Sequence, residues 1–172
     1  MKNLILAVIL MIFGTFVSTV SAQSYGLETG NKSPEIKLPT YNGDTVALSS
    51  LKGKLVLIDF WATWCAPCVE EQTKLADLYS KYKKAAFING KGFEIYGVSL
   101  DAKKATWENF ITTNKISWTQ VSDLKFWKSP VARIYNVQDL PYNILIDGNG
   151  IIQAKNLNGT DLEKGIERFL RK

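Results

Sequence analysis

The run Leu55-Val56-Leu57-Ile58-Asp59-Phe60 is apolar at every position but one, and Trp64-Cys65-Ala66-Pro67-Cys68 follows it almost at once. A short, continuous apolar run reads as a strand covered on both faces. What comes next reads as a helix. Val69, Gln72, Leu75, Ala76, Tyr79 and Tyr82 recur at intervals of three to four residues, with charges between them and lysines at the far end. A covered strand that feeds a helix is a β-α unit, and open α/β sheets put their chemistry at the C-terminal end of such a strand. The only two cysteines of the chain stand at that place.

Cysteines three residues apart in the first turn of a helix bring their sulfurs within bonding range, so the pair opens and closes without moving the fold. Cys65 falls at the helix N-terminus. There the free N–H groups and the helix dipole favour a thiolate and lower a thiol pKa by about one to several units from ~8.5. That makes Cys65 the expected nucleophile. Cys68, one turn further in, is the expected resolving thiol. Pro67 belongs to the first turn, where its missing N–H breaks no helical bond.

Rival chemistries fare worse. A zinc site needs four ligands, and the chain has two cysteines and no histidine. Covalent haem attachment needs a histidine at position 69, which is valine. An inert structural disulfide stays open as a rival, although a loop this short removes little chain entropy and stabilises poorly.

The N-terminal segment bears on the compartment. Lys2, an apolar run from Leu4 to Phe13 and the small residues Val20-Ser21-Ala22 form a signal-peptide pattern with cleavage expected after Ala22. The alternative is an uncleaved membrane tether, for which the unbroken apolar stretch is short of the ~20 residues a spanning helix wants. Residues 23–33 are polar with two glycines and read as a flexible leader, leaving one domain over 34–172. Removing Lys2 takes the formal charge from +5 to +4. The remaining lysines are scattered, apart from a small cluster at Lys81, Lys83 and Lys84, which argues against nucleic-acid binding. No calcium-loop, phosphate-loop or nucleophile-elbow motif occurs, and the reading includes no metal and no cofactor.

Along the rest of the chain, Glu35–Leu38 and Thr45–Leu48 flank Tyr41-Asn42-Gly43-Asp44 and predict an N-terminal hairpin. Phe93–Leu100 predicts a second buried strand, and Ala102–Asn114 a helix with Trp107, Phe110 and Ile111 on one face. A strand over Ile116–Val121, a short helix over Pro130–Tyr135 and a hairpin of Tyr142–Ile146 with Ile151–Ala154 follow. Thr160 and Glu163 have capping-box spacing before the stripe Leu162, Ile166, Phe169 of a last helix. The whole is an α/β sandwich.

The stretch Asp59-Phe60-Trp61-Ala62-Thr63-Trp64-Cys65-Ala66-Pro67-Cys68 resembles the active-site strand and turn of thioredoxin-fold proteins. From about Ser33 onward the chain resembles TlpA/ResA-type thiol-disulfide oxidoreductases. The AhpC/TSA-like hairpin, Gly97-Val98-Ser99-Leu100-Asp101, an added helix and strand between Ala102 and Val121, and Leu140-Pro141 before Tyr142 fall in that family's order. The resemblance implies a thioredoxin-like fold, a central mixed sheet flanked by helices. It also implies transfer across the cytoplasmic membrane, a periplasmic setting, and thiol-disulfide exchange with protein substrates, reset by a membrane thiol donor. Apocytochrome c cysteines are among the substrates it implies.

By the same resemblance Asp59 matches a buried carboxylate that relays the proton of the second cysteine, a role that a raised carboxyl pKa would serve. Pro141 matches a cis-proline beside the disulfide that, with Leu140, offers backbone to an extended substrate; Trp64, Ala66 and Pro67 complete the groove. Asp139 and Tyr142 depart from the family's usual Gly and Thr or Ser and imply a bulkier, more acidic groove. The stretch from Lys84 to Gly92 is longer than usual and reads as a surface insertion.

The expected function is therefore a secreted protein-disulfide reductase. A thiol oxidant uses the same residues, since Ala66-Pro67 does not fix direction. A peroxidase of the thioredoxin-dependent type resembles Thr-x-x-Cys, and position 62 is Ala. A non-catalytic thioredoxin-like binding module with a passive disulfide is the remaining rival.

Overall fold

The computed structural model describes residues 26–171; the signal-peptide reading of Met1–Ala22 lies outside them. Lys37–Pro39 (β1) and Thr45–Ala47 (β2) form the N-terminal hairpin, with Leu38 opposite Val46. Its turn takes Gly43 at φ +96°, a conformation glycine adopts without steric cost. A 3-10 turn over Leu48–Leu51 leads into Leu55–Trp61 (β3), then Ala66–Tyr82 (α1). Ala86–Phe87 (β4) and Gly90–Lys91 (β5) make a small hairpin before Phe93–Ser99 (β6). Lys104–Thr113 (α2), Thr119–Val121 (β7), Pro130–Ile134 (α3), Tyr142–Ile146 (β8), Ile152–Lys155 (β9) and Thr160–Glu167 (α4) complete the order.

The main sheet runs β7-β6-β3-β8-β9. β3, β6 and β7 are parallel, whereas β8 pairs antiparallel with both of its neighbours, β3 and β9. This is the expected mixed sheet. All seven residues of β3 and all seven of β6 are buried, which is why neither shows the polar alternation of a half-exposed strand. Alternation along β3 still matters: Leu57, Asp59 and Trp61 share one face, and Trp61 meets Phe110 of α2 with ring centroids 5.3 Å apart. Phe60 points the other way and meets Tyr135, just past α3, at 5.2 Å. Helices thus cover both faces.

Two local expectations need correction. In α1 the buried stripe is Cys68, Gln72, Leu75, Leu78 and Tyr82, and Ala76 is exposed; the true helical repeat passes through Leu78. At α4, Thr160 is the first helical residue, Gly159 stands before it at φ +53°, and no side-chain cap forms. Glu163 is instead drawn outward, accepting from Lys81 at 2.7 Å and from the Tyr82 hydroxyl at 3.2 Å. The Lys84–Gly92 stretch forms a hairpin held to the rest of the domain: Lys91 N donates to Gly53 O at 2.7 Å and Ile88 N to Phe169 O at 2.8 Å. The described part of the leader is likewise held, with Gly30 N donating to Ile152 O at 2.8 Å and Ser33 N to Gly150 O at 3.0 Å. No helix among the described residues is long and apolar enough to cross a membrane.

Candidate active site

β3 ends at Trp61, and the chain turns through Ala62-Thr63-Trp64 before Cys65 caps α1. Cys65 and Cys68 are disulfide-bonded, with Cα atoms 5.2 Å apart. Cys65 Sγ accepts a hydrogen bond from Cys68 N at 3.2 Å, and Cys65 O accepts from Val69 N at 3.0 Å. A sulfur in the N-cap position thus takes one of the helix's free donors, as a capping oxygen does elsewhere. The same geometry stabilises negative charge on Cys65 once the bond opens. Cys65 is 7% exposed and Cys68 fully buried. Ala66 and Pro67 are exposed, and Pro67 lies in the first turn.

Behind the sulfurs the site is polar and dry. Asp59 is 2% exposed, and among the described residues its Oδ2 has no hydrogen-bond partner and neither polar atom of the Gln72 amide has one. Gln72 stands one turn beyond Cys68 on the same helical stripe. Burial pushes the Asp59 carboxyl up to about 7, the negative charge of Glu71 adds to the rise, and the neighbouring Gln72 amide pulls it back. Burial also raises the Glu71 carboxyl, opposed by Lys74. Asp59 is therefore part protonated near neutral pH, the condition in which a carboxyl both takes and gives a proton.

The Leu140–Pro141 bond is cis and leads directly into β8, whose Tyr142 is registered against Phe60 of β3. Leu140 and Pro141 are half-buried, and Asp139 is exposed. Of the two tryptophans, Trp61 lies in the core, where its Nε1 donates to Gln120 Oε1 at 2.9 Å. Gln120 fits there because Gly97, registered beside Asp59, has no side chain; a Cβ would overlap the Gln120 amide. Trp64 is 46% exposed and packs on Phe126 and Trp127, with centroids 5.1 and 6.0 Å away.

Two features of the site were not foreseen. The Asp101 carboxylate, 3% exposed, accepts from Thr63 N at 3.1 Å, Thr63 Oγ1 at 2.6 Å and Ser99 Oγ at 2.8 Å. It fastens the turn that carries Trp64 and Cys65 to the end of β6. A buried acid among small hydroxyl residues was its only signal in the sequence. The second is the 3-10 turn over Phe126–Lys128, exposed at all three positions. Its two aromatics have no periodicity, so nothing in the sequence tied them to Trp64.

Comparison with known proteins agrees with this geometry. Residues 29–155 match the model of the AhpC/TSA family. The thiol-disulfide oxidoreductase ResA of Geobacillus kaustophilus is 32% identical over 171 residues, covering 99% of this chain and 92% of that one. ResA of Bacillus subtilis is 31% identical, covering 96% and 88%. The thioredoxin domain of a thiol-disulfide oxidoreductase from Bacteroides vulgatus superposes with a TM-score of 0.75 at 36% identity, covering 85% of this chain and all of that one. A strand-to-helix turn carrying a bonded Cys65–Cys68 pair, set in this sheet and matched over this length, shows that the chain belongs to the AhpC/TSA family and, within it, to the ResA-type thiol-disulfide oxidoreductases.

Proposed function

We propose that the chain reduces disulfides of proteins outside the cytoplasm, with Cys65 as nucleophile, Cys68 as resolving thiol and Asp59 as proton relay. The carrying observation is the asymmetry of the pair: Cys65 is capped by an N–H at the helix start, while Cys68 is buried on the stripe that holds Gln72. Cys65 thiolate attacks a substrate sulfur; a Cys65–substrate bond forms, the substrate S–S bond breaks, and the departing thiolate takes a proton. Cys68 then gives its proton to Asp59, and its thiolate attacks Cys65 Sγ. The Cys65–Cys68 bond closes as the second substrate thiolate leaves and takes the proton that Asp59 releases. The substrate has gained two electrons and two protons, and the chain has become the oxidised form seen here. A dithiol donor at the membrane resets the pair. Leu140, Pro141, Ala66 and Pro67 form the groove beside it. The Met1–Ala22 pattern supports a periplasmic setting.

The test is the reduction potential of the pair, read by tryptophan fluorescence and thiol trapping in graded dithiol buffers. Potentials in this fold span about −270 to −120 mV, roughly 7 kcal/mol for two electrons. A value near the lower end supports the reductase; one near −120 mV reverses the direction to an oxidant. A pair that no buffer reduces in the folded protein leaves only a binding module, in which partner binding survives Cys65→Ser.

A further inference from the structure

The residue before Cys65 is Trp64, and its indole is one wall of an exposed aromatic cluster. Trp64, Phe126 and Trp127 are 46%, 42% and 40% exposed, and all three rings touch, with Phe126 and Trp127 centroids 6.2 Å apart. Three large aromatics left partly exposed at one spot forgo close to half of the burial that is worth about 1.5–3 kcal/mol for a full side chain of this size. Scattered exposed apolar residues need no explanation, whereas a contiguous group does.

The cluster is held in place. Leu124 and Phe126 both adopt positive φ, +56° and +54°, a conformation that non-glycine residues take only where the surroundings impose it. The surroundings are identifiable: Ser122 Oγ donates to Ser99 O at 2.8 Å and accepts from Leu124 N at 3.0 Å, and Ser129 caps α3 from the other side. Ser99 is also the residue whose hydroxyl donates to Asp101, which grips Thr63. The same end of β6 therefore anchors both the Cys65 turn and the Phe126–Lys128 turn. Phe126 and Trp127 are set at a fixed place relative to the reacting sulfur.

Charge narrows the occupant. Lys125 and Lys128 flank the two aromatics in sequence, both are exposed, and neither has an ion-pair partner among the described residues. Aromatics with flanking cations also suit a lipid surface, but a flat bilayer laid on Trp64 would cover the neighbouring Cys65. An extended peptide would not, since one side chain can sit on the rings while its own cysteine reaches the sulfur.

The geometry points to Trp64, Phe126 and Trp127, with Lys125 and Lys128, as a substrate-selecting surface that engages an aromatic side chain in an acidic stretch next to the reacting disulfide of the protein substrate. This rests on the proposed reductase reading. The occupant's ring packs against the exposed area of rings that already touch one another in tilted or edge-on contact, and its carboxylates meet the Lys125 and Lys128 ammonium groups.

The test uses the reduced full chain and short synthetic peptides whose one cysteine carries a mixed disulfide with glutathione: one with Trp and Glu near the cysteine, one with Ser for Trp, one with Lys for Glu. Each kcat/KM is divided by that for 2-hydroxyethyl disulfide, a small neutral probe. Wild type is expected to favour the Trp/Glu peptide by about tenfold over either analogue, and Phe126→Ser with Trp127→Ser to erase the Trp preference. Lys125→Glu with Lys128→Glu is expected to reverse the Glu-over-Lys preference. Equal ratios for all peptides, or a Trp preference that survives the aromatic double variant, overturn the proposal. So does binding to phosphatidylglycerol vesicles that depends on Trp127 while the peptides are not discriminated. A non-reacting Trp/Glu peptide with Ser for Cys separates the two readings. If nothing is reduced but this peptide binds and the aromatic double variant loses it, the surface stands and the reductase reading falls. If nothing is reduced and the peptide does not bind, both fall.

Discussion

The two sides of the Cys65–Cys68 pair are built on opposite terms. Behind Cys68 lies a buried region in which Asp59 and Gln72 have polar atoms without partners among the described residues. In front of Cys65 lies an exposed surface in which Trp64, Phe126 and Trp127 have apolar area without partners. Each side carries a cost that folding alone does not explain. The inner cost buys a carboxyl that titrates near neutral pH, and the outer one leaves a surface free to meet a substrate. On the proposed reading, chemistry and recognition are divided between the buried and the exposed end of one helical turn.

That contrast can be broken at several points. The largest effect belongs to the sulfurs: Cys65→Ser abolishes disulfide reduction, and Cys68→Ser accumulates a mixed disulfide with the substrate, seen by mass spectrometry as an adduct removed by dithiothreitol. Next is Asp59→Asn, expected to slow closure of the Cys65–Cys68 bond by about 100-fold or more at pH 7, measured by rapid-mixing fluorescence.

Asp59 also governs stability, in a direction its burial fixes. Its carboxyl goes from 3.8 to about 7 on folding. Below the lower value both states are protonated and folding costs nothing at this group. As pH rises through about 7, the folded state must carry a buried charge that the unfolded state carries freely. The protein therefore loses stability between about pH 4 and 7, by up to ~4 kcal/mol at full ionisation. Denaturant midpoints across that range should fall for wild type and lose most of this slope in Asp59→Asn; an unchanged slope would place the titration elsewhere.

Smaller effects sharpen the boundary between the two sides. Asp101→Asn weakens three hydrogen bonds that hold the Thr63 turn and should cost about 1–3 kcal/mol in chemical denaturation. Gln72→Leu removes the amide that holds the Asp59 carboxyl down and should move the pH at which Cys68 reacts upward, read from the pH profile of disulfide closure. Trp127→Ser, on the exposed side, should change stability by less than about 0.5 kcal/mol.

The Cys65–Cys68 pair, its strand and its helix were legible in the sequence because each rests on neighbours in the chain: an apolar run, a proline in a first turn, a helical repeat. Tyr142–Ile146 was read with its observed limits for the same reason. The capping box at Thr160 failed because Glu163 is taken by Lys81, 82 residues away, a contact no local pattern contains. Asp101 and Phe126–Trp127 were missed on similar grounds, since each matters only through residues that folding brings to it.

Local order thus determined which residues react and on what elements they stand, because strand burial, helix start and cysteine spacing are properties of short segments. The sheet order β7-β6-β3-β8-β9 decided the rest. By laying β6 beside β3 it set Gly97 next to Asp59 and tied Thr63 to Asp101. By laying β7 beside β6 it brought Ser122, and with it the aromatic turn, to Trp64. A carboxyl's pKa and a surface's shape depend on what lies next to them in space, and only the packed sheet supplies those neighbours.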